Sequence, residues 1–340
     1  MVPVEQEPET HGFPAPAAAS LVSGRPDELS RSILRVRYLR HEETVSSLTS
    51  ACAYCEEIIG QEPNSAAAHA ELALTLFLLE KLGAARRVDI EPRVRTAVDS
   101  AMRLDERSGL SLACLAKLEY RYDWNWESAE RHFRQAVAAS PQDADVSSEF
   151  SCMLSVVRRF DESAIYAGRA CSLDPISPSA RLQAGHRAYA SGQWNTAVAH
   201  YRRLLRFAPQ HIFARWGLAD ALSRKGEIHE AIAALREGIS PAGSLPHPLL
   251  LTSLARISAV LDLPGKTRYS SPEFSPPTDP VLHAELHVSR GELAEAFRVL
   301  DGAAETRHYR LTAVNMFPQF ERLREDSRYQ QLRRQIGLPL

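Results

Sequence analysis

Apolar residues in this chain recur three and four positions apart from Glu28 onward, and no convincing stretch alternates as a half-buried strand would. The pattern predicts short amphipathic helices separated by brief polar breaks. In the clearest stretch one helix carries Leu182, Ala184, Gly185, Ala188 and Tyr189, and Ser191-Gly192 interrupts it. A second helix carries Trp194, Ala197, Tyr201 and Leu204, and Pro209 closes the unit. Pro141, Pro175 and Pro209 fall 34 residues apart. A fixed spacing of this length marks a helix-turn-helix unit that repeats along the chain.

Neighbouring units repeat the residue classes in phase. Two antiparallel helices approach closely only where small side chains meet, and Gly185 and Ala197 supply them in the unit from Pro178. Trp194 and Tyr201 are expected to fill the space between helix pairs. Ser151, Ser163 and Ala170 serve the unit beginning at Ala144, with Phe160 at its turn. Ala219, Ala231 and Gly238 serve the unit from Ile212, with Gly226 at its turn. Ala116, Ala129 and Ala136 serve the unit from Gly109, with Phe133 as the large partner.

Weaker units flank these. Ser32 to Ser65 keeps Ala51, Cys55, Ile58 and Pro63 in phase, although Leu39 replaces a small residue. Ala66 to Ser108 keeps Ala73 and Ala101 but is about nine residues too long, and a loop near Gly83 to Pro92 is expected to hold the surplus. Ala284, Gly291, Ala296 and Ala303 are again in phase. Pro248 to Leu261 reads as a first helix without a regular second one, and the proline- and serine-rich Asp262 to Pro280 reads as a loop. The expected organisation is a flexible leader over 1–27, about six repeats over 28–245, degenerate repeats over 246–310 with the loop at 262–280, and a C-terminal helical cap over 311–340.

The pattern resembles the tetratricopeptide repeat (TPR), in which small residues stand at the eighth, twentieth and twenty-seventh positions and proline at the thirty-second. Tyr122-Asp123-Trp124-Asn125-Trp126, followed by Ala129-Glu130, looks like the Y-D-W-x-W segment of one bacterial TPR group. The closing segment of that group is matched by Phe317-Pro318-Gln319-Phe320, Leu323-Arg324, Asp326-Ser327-Arg328-Tyr329 and Ile336-Gly337-Leu338-Pro339, with Ser327 and Tyr329 departing from the usual D-P-R-F. Arrays of that group commonly follow a winged-helix, adenylate cyclase or kinase domain. The twenty-seven leading residues are too few for one, so those activities are not carried over.

The resemblance implies an all-α fold, a right-handed α-solenoid whose first helices line a concave face. It also implies that positions two, five, nine and twelve of each unit point into that groove. Ser148, Cys152, Leu182, His186, Tyr189, Phe213, Trp216, Asp220 and Ser223 are the partner-binding residues expected on this ground, with Asp145, Ser155 and Ser179 at equivalent positions. For Phe213 and Trp216 packing between helices competes with this role, and Asp220 is either a groove anion or a solvated surface charge. The mixture of aromatic, aliphatic and small polar groups suits a peptide with an apolar anchor. A clamp for terminal carboxylates is not expected: Lys117 holds one ninth position, but Cys152, His186 and Asp220 follow it.

Composition narrows the reading further. Forty basic residues against forty-two acidic ones leave a net charge of −2, which argues against a mainly electrostatic nucleic-acid binder. No apolar run is long enough to span a bilayer. Five cysteines make no disulfide framework. Cys52 and Cys55 form a single C-x-x-C inside a predicted helix, where burial is expected rather than metal or redox chemistry. No phosphate loop is present. His283 and His287 share a helical face without an evident third ligand, so neither a metal nor a cofactor is expected. Arg322, Arg324, Arg328, Arg333 and Arg334, offset by nearby acids, are expected to form surface ion pairs. The expected function is that of a non-enzymatic, cytoplasmic scaffold holding a peptide or partner helix in its groove. The alternative is a stand-alone regulatory module of a signalling or transcription-control system that binds a small effector.

Overall fold

The computed structural model describes residues 25–239, 247–259 and 279–339, and among these it contains helices and turns but no strand. Six hairpins follow one another: α1 (Arg25–His41) with α2 (Val45–Gln61), α3 (Ala66–Lys81) with α4 (Arg87–Leu104), α5 (Gly109–Leu118) with α6 (Trp126–Ala139), α7 (Ala144–Val156) with α8 (Phe160–Leu173), α9 (Pro178–Ala190) with α10 (Trp194–Phe207), and α11 (Ile212–Arg224) with α12 (Ile228–Ile239). α13 (Pro248–Ala259), α14 (Pro280–Arg290) and α15 (Leu293–Glu305) continue the stack. Each first helix packs on the first helix of the next unit as well as on its own partner, so α1, α3, α5, α7, α9, α11 and α13 make one continuous inner layer.

The 34-residue period has a backbone cause. Asp143, Ser177 and His211, two residues after the recurring prolines, cap α7, α9 and α11 by accepting hydrogen bonds from backbone N–H groups of the first turn. At the other end of each first helix, Trp124, Arg158, Gly192 and Gly226 adopt left-handed φ values of 57°, 63°, 78° and 85°. These four positions are also 34 residues apart, so the same turn is made twice by glycine and twice by a residue that prefers to avoid it. The chain before Trp124 widens into a π-turn, Glu119–Asp123.

Packing follows the expected phase. The fully buried Tyr201 ring lies against both Gly185 and Gly217, which lack the Cβ that would collide with it. Phe133 stacks on Phe150 at 5.3 Å. At the α7–α8 crossing the small residues are also bonded, since Ser163 Oγ meets Ser151 Oγ at 2.9 Å and Ser155 Oγ at 2.8 Å. Gly217→Ala is expected to destabilise the protein by about 1–3 kcal/mol through overpacking of Tyr201. A urea melt shows this as a lower midpoint with an unchanged slope, and a midpoint equal to wild type counts against the packing described.

Three boundaries differ from expectation. The surplus of the second unit is not a loop from Gly83 to Pro92. α4 begins at Arg87 and carries Pro92 within it, so most of the extra length is helix. The leader is shorter than 27 residues where it can be followed, because α1 starts at Arg25, while 1–24 lie outside the described residues. The expected loop at 262–280 also falls largely outside them, and its last residue, Pro280, opens α14 behind the capping Asp279.

The C-terminal segment is more than a cap. After α15 the chain turns inward. α16 (Leu311–Met316) packs on α7, and the 3-10 turn Pro318–Phe320 packs on α14. α17 (Glu321–Arg324) and α18 (Ser327–Gln335) then return, and α18 covers α15.

Candidate functional site

The inner layer curls tightly enough to meet itself. Arg40 on α1 binds Glu71 at 3.0 Å and also pairs with Asp145 at the start of α7. Glu43, between α1 and α2, lies 3.1 Å from Lys81 and 3.5 Å from His211 at the start of α11. Burial alone would push the Glu43 carboxyl up, but Lys81 and His211 hold it far below the usual carboxylate range. The His247 ring approaches Leu82 O at 3.4 Å. Residues at α1, α3, α7, α11 and the start of α13 are thereby tied together.

The chain's own residues 307–320 lie in what remains of the groove. Arg307 donates to Tyr122 O at 3.3 Å, and Arg87 donates to Arg307 O. The Tyr309 hydroxyl donates to Lys81 O at 3.4 Å, and Asn315 Nδ2 to Val156 O at 2.6 Å. Phe317 seats its ring 4.9 Å from Trp216, 5.5 Å from His186 and 6.0 Å from Tyr189. The Tyr189 hydroxyl lies 3.2 Å from Gln319 Oε1. Arg324, expected in a surface ion pair, instead donates to the carbonyls of Val314, Asn315 and Phe317, holding the end of α16 in place. Further along, Trp126 Nε1 donates to Ile336 O at 2.9 Å, and Gly337 approaches Trp124 O.

The expected groove residues are therefore not lining an open trough. Leu182 and Tyr189 are completely buried, and Ser148, His186, Phe213 and Trp216 nearly so. Trp216, His186 and Tyr189 converge on Phe317. Asp220 is neither a groove anion nor a surface charge. At 1% exposure it accepts from Tyr189 Oη at 3.3 Å and Ser253 Oγ at 3.1 Å, and pairs with Arg256, which also holds Glu285 at 2.9 Å. Burial, opposed by Arg256 and reinforced by Asp220, pushes the Glu285 carboxyl up to about 7. Ser223 is half-buried and stands apart from these contacts.

Between α16 and the inner helices a cavity of about 140 Å³ remains, partly open to solvent. Cys152, His186, Phe213 and Trp216 line it, but so do Lys81, Arg121, Tyr309 and Arg310, which the sequence reading passed over. Their one signal was the run of cations Lys81, Lys117 and Arg121 at the ends of successive first helices. Lys117 pairs with Glu149 at 2.6 Å. Burial keeps the His186 imidazole well below its ordinary value, hence neutral.

Other candidate chemistry resolves into packing. Cys52 and Cys55 are buried on α2, and burial pushes the Cys52 thiol up to about 11, away from the reactive thiolate. The His283 and His287 rings lie 4.7 Å apart, and His287 Nδ1 meets Glu292 at 2.6 Å. Among the described residues no three metal-binding side chains gather, and no helix is long and apolar enough to cross a membrane.

No family model matches the chain, and no curated protein sequence does. Solved structures do match in fold. Human IFIT1, as a dimer with m7Gppp-AAAA, aligns over 78% of this chain and 69% of its own at 14% identity and a TM-score of 0.53. PilF of Pseudomonas aeruginosa aligns over 78% and 99% at 14% identity and 0.45. YrrB, a TPR protein with an unusual peptide-binding site, aligns over 58% and 95% at 19% identity and 0.38. With the likeness in fold to IFIT1 and its own hairpin stack, the chain is an all-α helical-repeat solenoid of TPR-like architecture.

Proposed function

We propose that the chain is a non-enzymatic protein-interaction module whose concave face takes a peptide, and that residues 307–320 are a built-in occupant which a partner segment displaces. The observation that carries this reading is Phe317 held among Trp216, His186 and Tyr189, flanked by backbone carbonyls bonded from the segment's side chains. An aromatic anchor with a few directed hydrogen bonds is how a groove of this composition recognises a peptide. The five cysteines, all unpaired, fit a reducing, cytoplasmic setting.

The test uses a synthetic peptide of residues 305–321, followed by fluorescence anisotropy. The full chain carrying Phe317→Ala, with its own anchor removed, is expected to bind the peptide one to one and about tenfold or more tighter than wild type, a gap of about 1.4 kcal/mol. The double variant Phe317→Ala, Trp216→Ala is expected to lose it. Absence of binding to Phe317→Ala, when hydrogen exchange shows 307–320 released, would sink the reading.

One contact favours a second reading, the stand-alone regulatory module. Trp126 and Ile336 join the two segments on which the resemblance to the bacterial regulator arrays rests. A partner recovered from cells that carries a DNA-binding, cyclase or kinase domain supports it over a structural scaffold.

A further inference from the structure

The cavity beneath α16 has features that packing does not require. We infer that it is a binding site for a small organic anion with an apolar, ring-sized body.

Size sets the first limit. About 140 Å³ is close to the roughly 150 Å³ engineered cavity that takes up benzene, and far below a nucleotide or a peptide side of several residues. The walls supply the apolar contact: Tyr120, Phe213, Trp216 and Phe317 all face it.

Charge sets the second. Lys81, Lys117, Arg121 and Arg310 line the cavity, and Glu149 is the one carboxylate among its lining residues. The partners of the other three cations, Glu43 at 3.1 Å from Lys81, Glu80 at 3.0 Å from Arg121 and Asp279 at 3.2 Å from Arg310, are not part of the lining. These three carboxylates pair with the cations from outside the lining, so the lining itself carries four cations and one carboxylate. An ammonium carries three donors and a guanidinium five, so one carboxylate partner leaves N–H groups to spare. A carboxylate or phosphate oxygen entering here meets charge-assisted donors in a partly dehydrated space.

Unmet hydrogen-bonding capacity is the third. Trp216 Nε1 and His186 Nε2, on rings that line the cavity, are buried without a partner. Such groups are uncommon in folded proteins and call for an occupant or a reason. A ligand oxygen gives the indole N–H its acceptor. A neutral imidazole suits this role, since it adds no charge that would have to be desolvated when the site is empty.

Tyr309, Ala313 and Phe317 form one wall, so the cavity exists only while the C-terminal segment is seated. Ligand and seated segment therefore stabilise each other. This coupling, unlike the binding itself, rests on the reading of 307–320 as a displaceable occupant.

The experiment titrates the full chain with benzoate, benzyl alcohol and inorganic phosphate, by calorimetry and by thermal melting. Benzoate is expected to bind and raise the melting temperature, with benzyl alcohol and phosphate each weaker by about tenfold or more. Two variants locate the site. Ala313→Phe fills the cavity and should abolish benzoate binding. The paired neutral substitutions Lys117→Gln, Glu149→Gln remove one charge-assisted donor without leaving its partner charged, and should weaken binding about tenfold. Circular dichroism establishes that each variant folds. Benzyl alcohol binding as well as benzoate overturns the anion requirement, and phosphate binding as well as benzoate overturns the apolar body. Benzoate affinity unchanged in both variants, or no binding of any probe to wild type, overturns the site. If benzoate binds here while the 305–321 peptide fails to bind the Phe317→Ala chain, the site stands and the displaceable-occupant reading falls.

Discussion

Removal of residues 311–340 is expected to abolish the cooperative melt of the whole protein, not merely lower its solubility. The segment contributes Leu311, Val314, Phe320, Leu323, Leu332 and Ile336 to the core, each no more than 2% exposed. At about 1.5–3 kcal/mol for each buried side chain, six of them amount to about 9–18 kcal/mol, as much as the net stability of an ordinary domain. The loss is double-sided. Deletion also uncovers Trp216, Tyr189 and His186 at the centre, and leaves Trp126 Nε1 without Ile336 O. Stacked hairpins gain stability from their neighbours, so much of the helix content should survive in the first units. The expected result is a far-ultraviolet spectrum of reduced but substantial helicity, a flattened near-ultraviolet signal, a broad melt and self-association on gel filtration. A sharp melt within a few degrees of the full chain would show that the segment is only an appendage.

That outcome depends on contacts that the residue pattern does not announce. The repeat was readable because its cause is local. A small residue is needed wherever two helices cross, and a cap and a left-handed turn are needed at fixed distances along each hairpin. Gly185, Ala197, Gly226 and the prolines therefore mark the period. Even Tyr122 to Trp126 was legible as a marked segment, although not as a π-turn. The filling of the groove was not legible, because it depends on superhelical curvature. That curvature accumulates from small rotations between units, none of which leaves its own mark on the sequence. Arg40 reaches Asp145 across 105 residues and Trp126 reaches Ile336 across 210. Trp216, His186 and Tyr189, expected to face a partner, instead surround Phe317 of the same chain. Arg324 misled for a related reason. Among the charges of the last helices it looked solvated, whereas the inward turn of α16 supplies it with three carbonyls.

Asp220 carries the second large effect. It accepts hydrogen bonds from Ser253 and Tyr189 and shares Arg256 with Glu285, and both carboxylates are buried. Asp220→Ala leaves Arg256 with one carboxylate and the Ser253 hydroxyl short of an acceptor, while Tyr189 keeps Gln319 Oε1 within reach. Breaking a buried pair from one side costs about 3–5 kcal/mol, and that loss is expected in urea unfolding at neutral pH. Asp220→Asn keeps an acceptor and should cost less, about 1–3 kcal/mol. The asparagine variant also has a pH signature. In the wild type the Glu285 carboxyl is raised by burial first, with the Asp220 charge adding to it, to about 7. A raised carboxyl favours the folded state below its unfolded value, near 4.5, and that contribution disappears as pH climbs through 7. Without the Asp220 charge, Glu285 is left with Arg256 and its value falls, so the variant has less of this contribution to lose. The stability gap between wild type and Asp220→Asn should therefore be widest near pH 5 and narrow toward pH 7.5. A gap that stays constant across this range would mean that Glu285 is ionised throughout, and that the buried cluster is held by Arg256 and its hydrogen bonds alone.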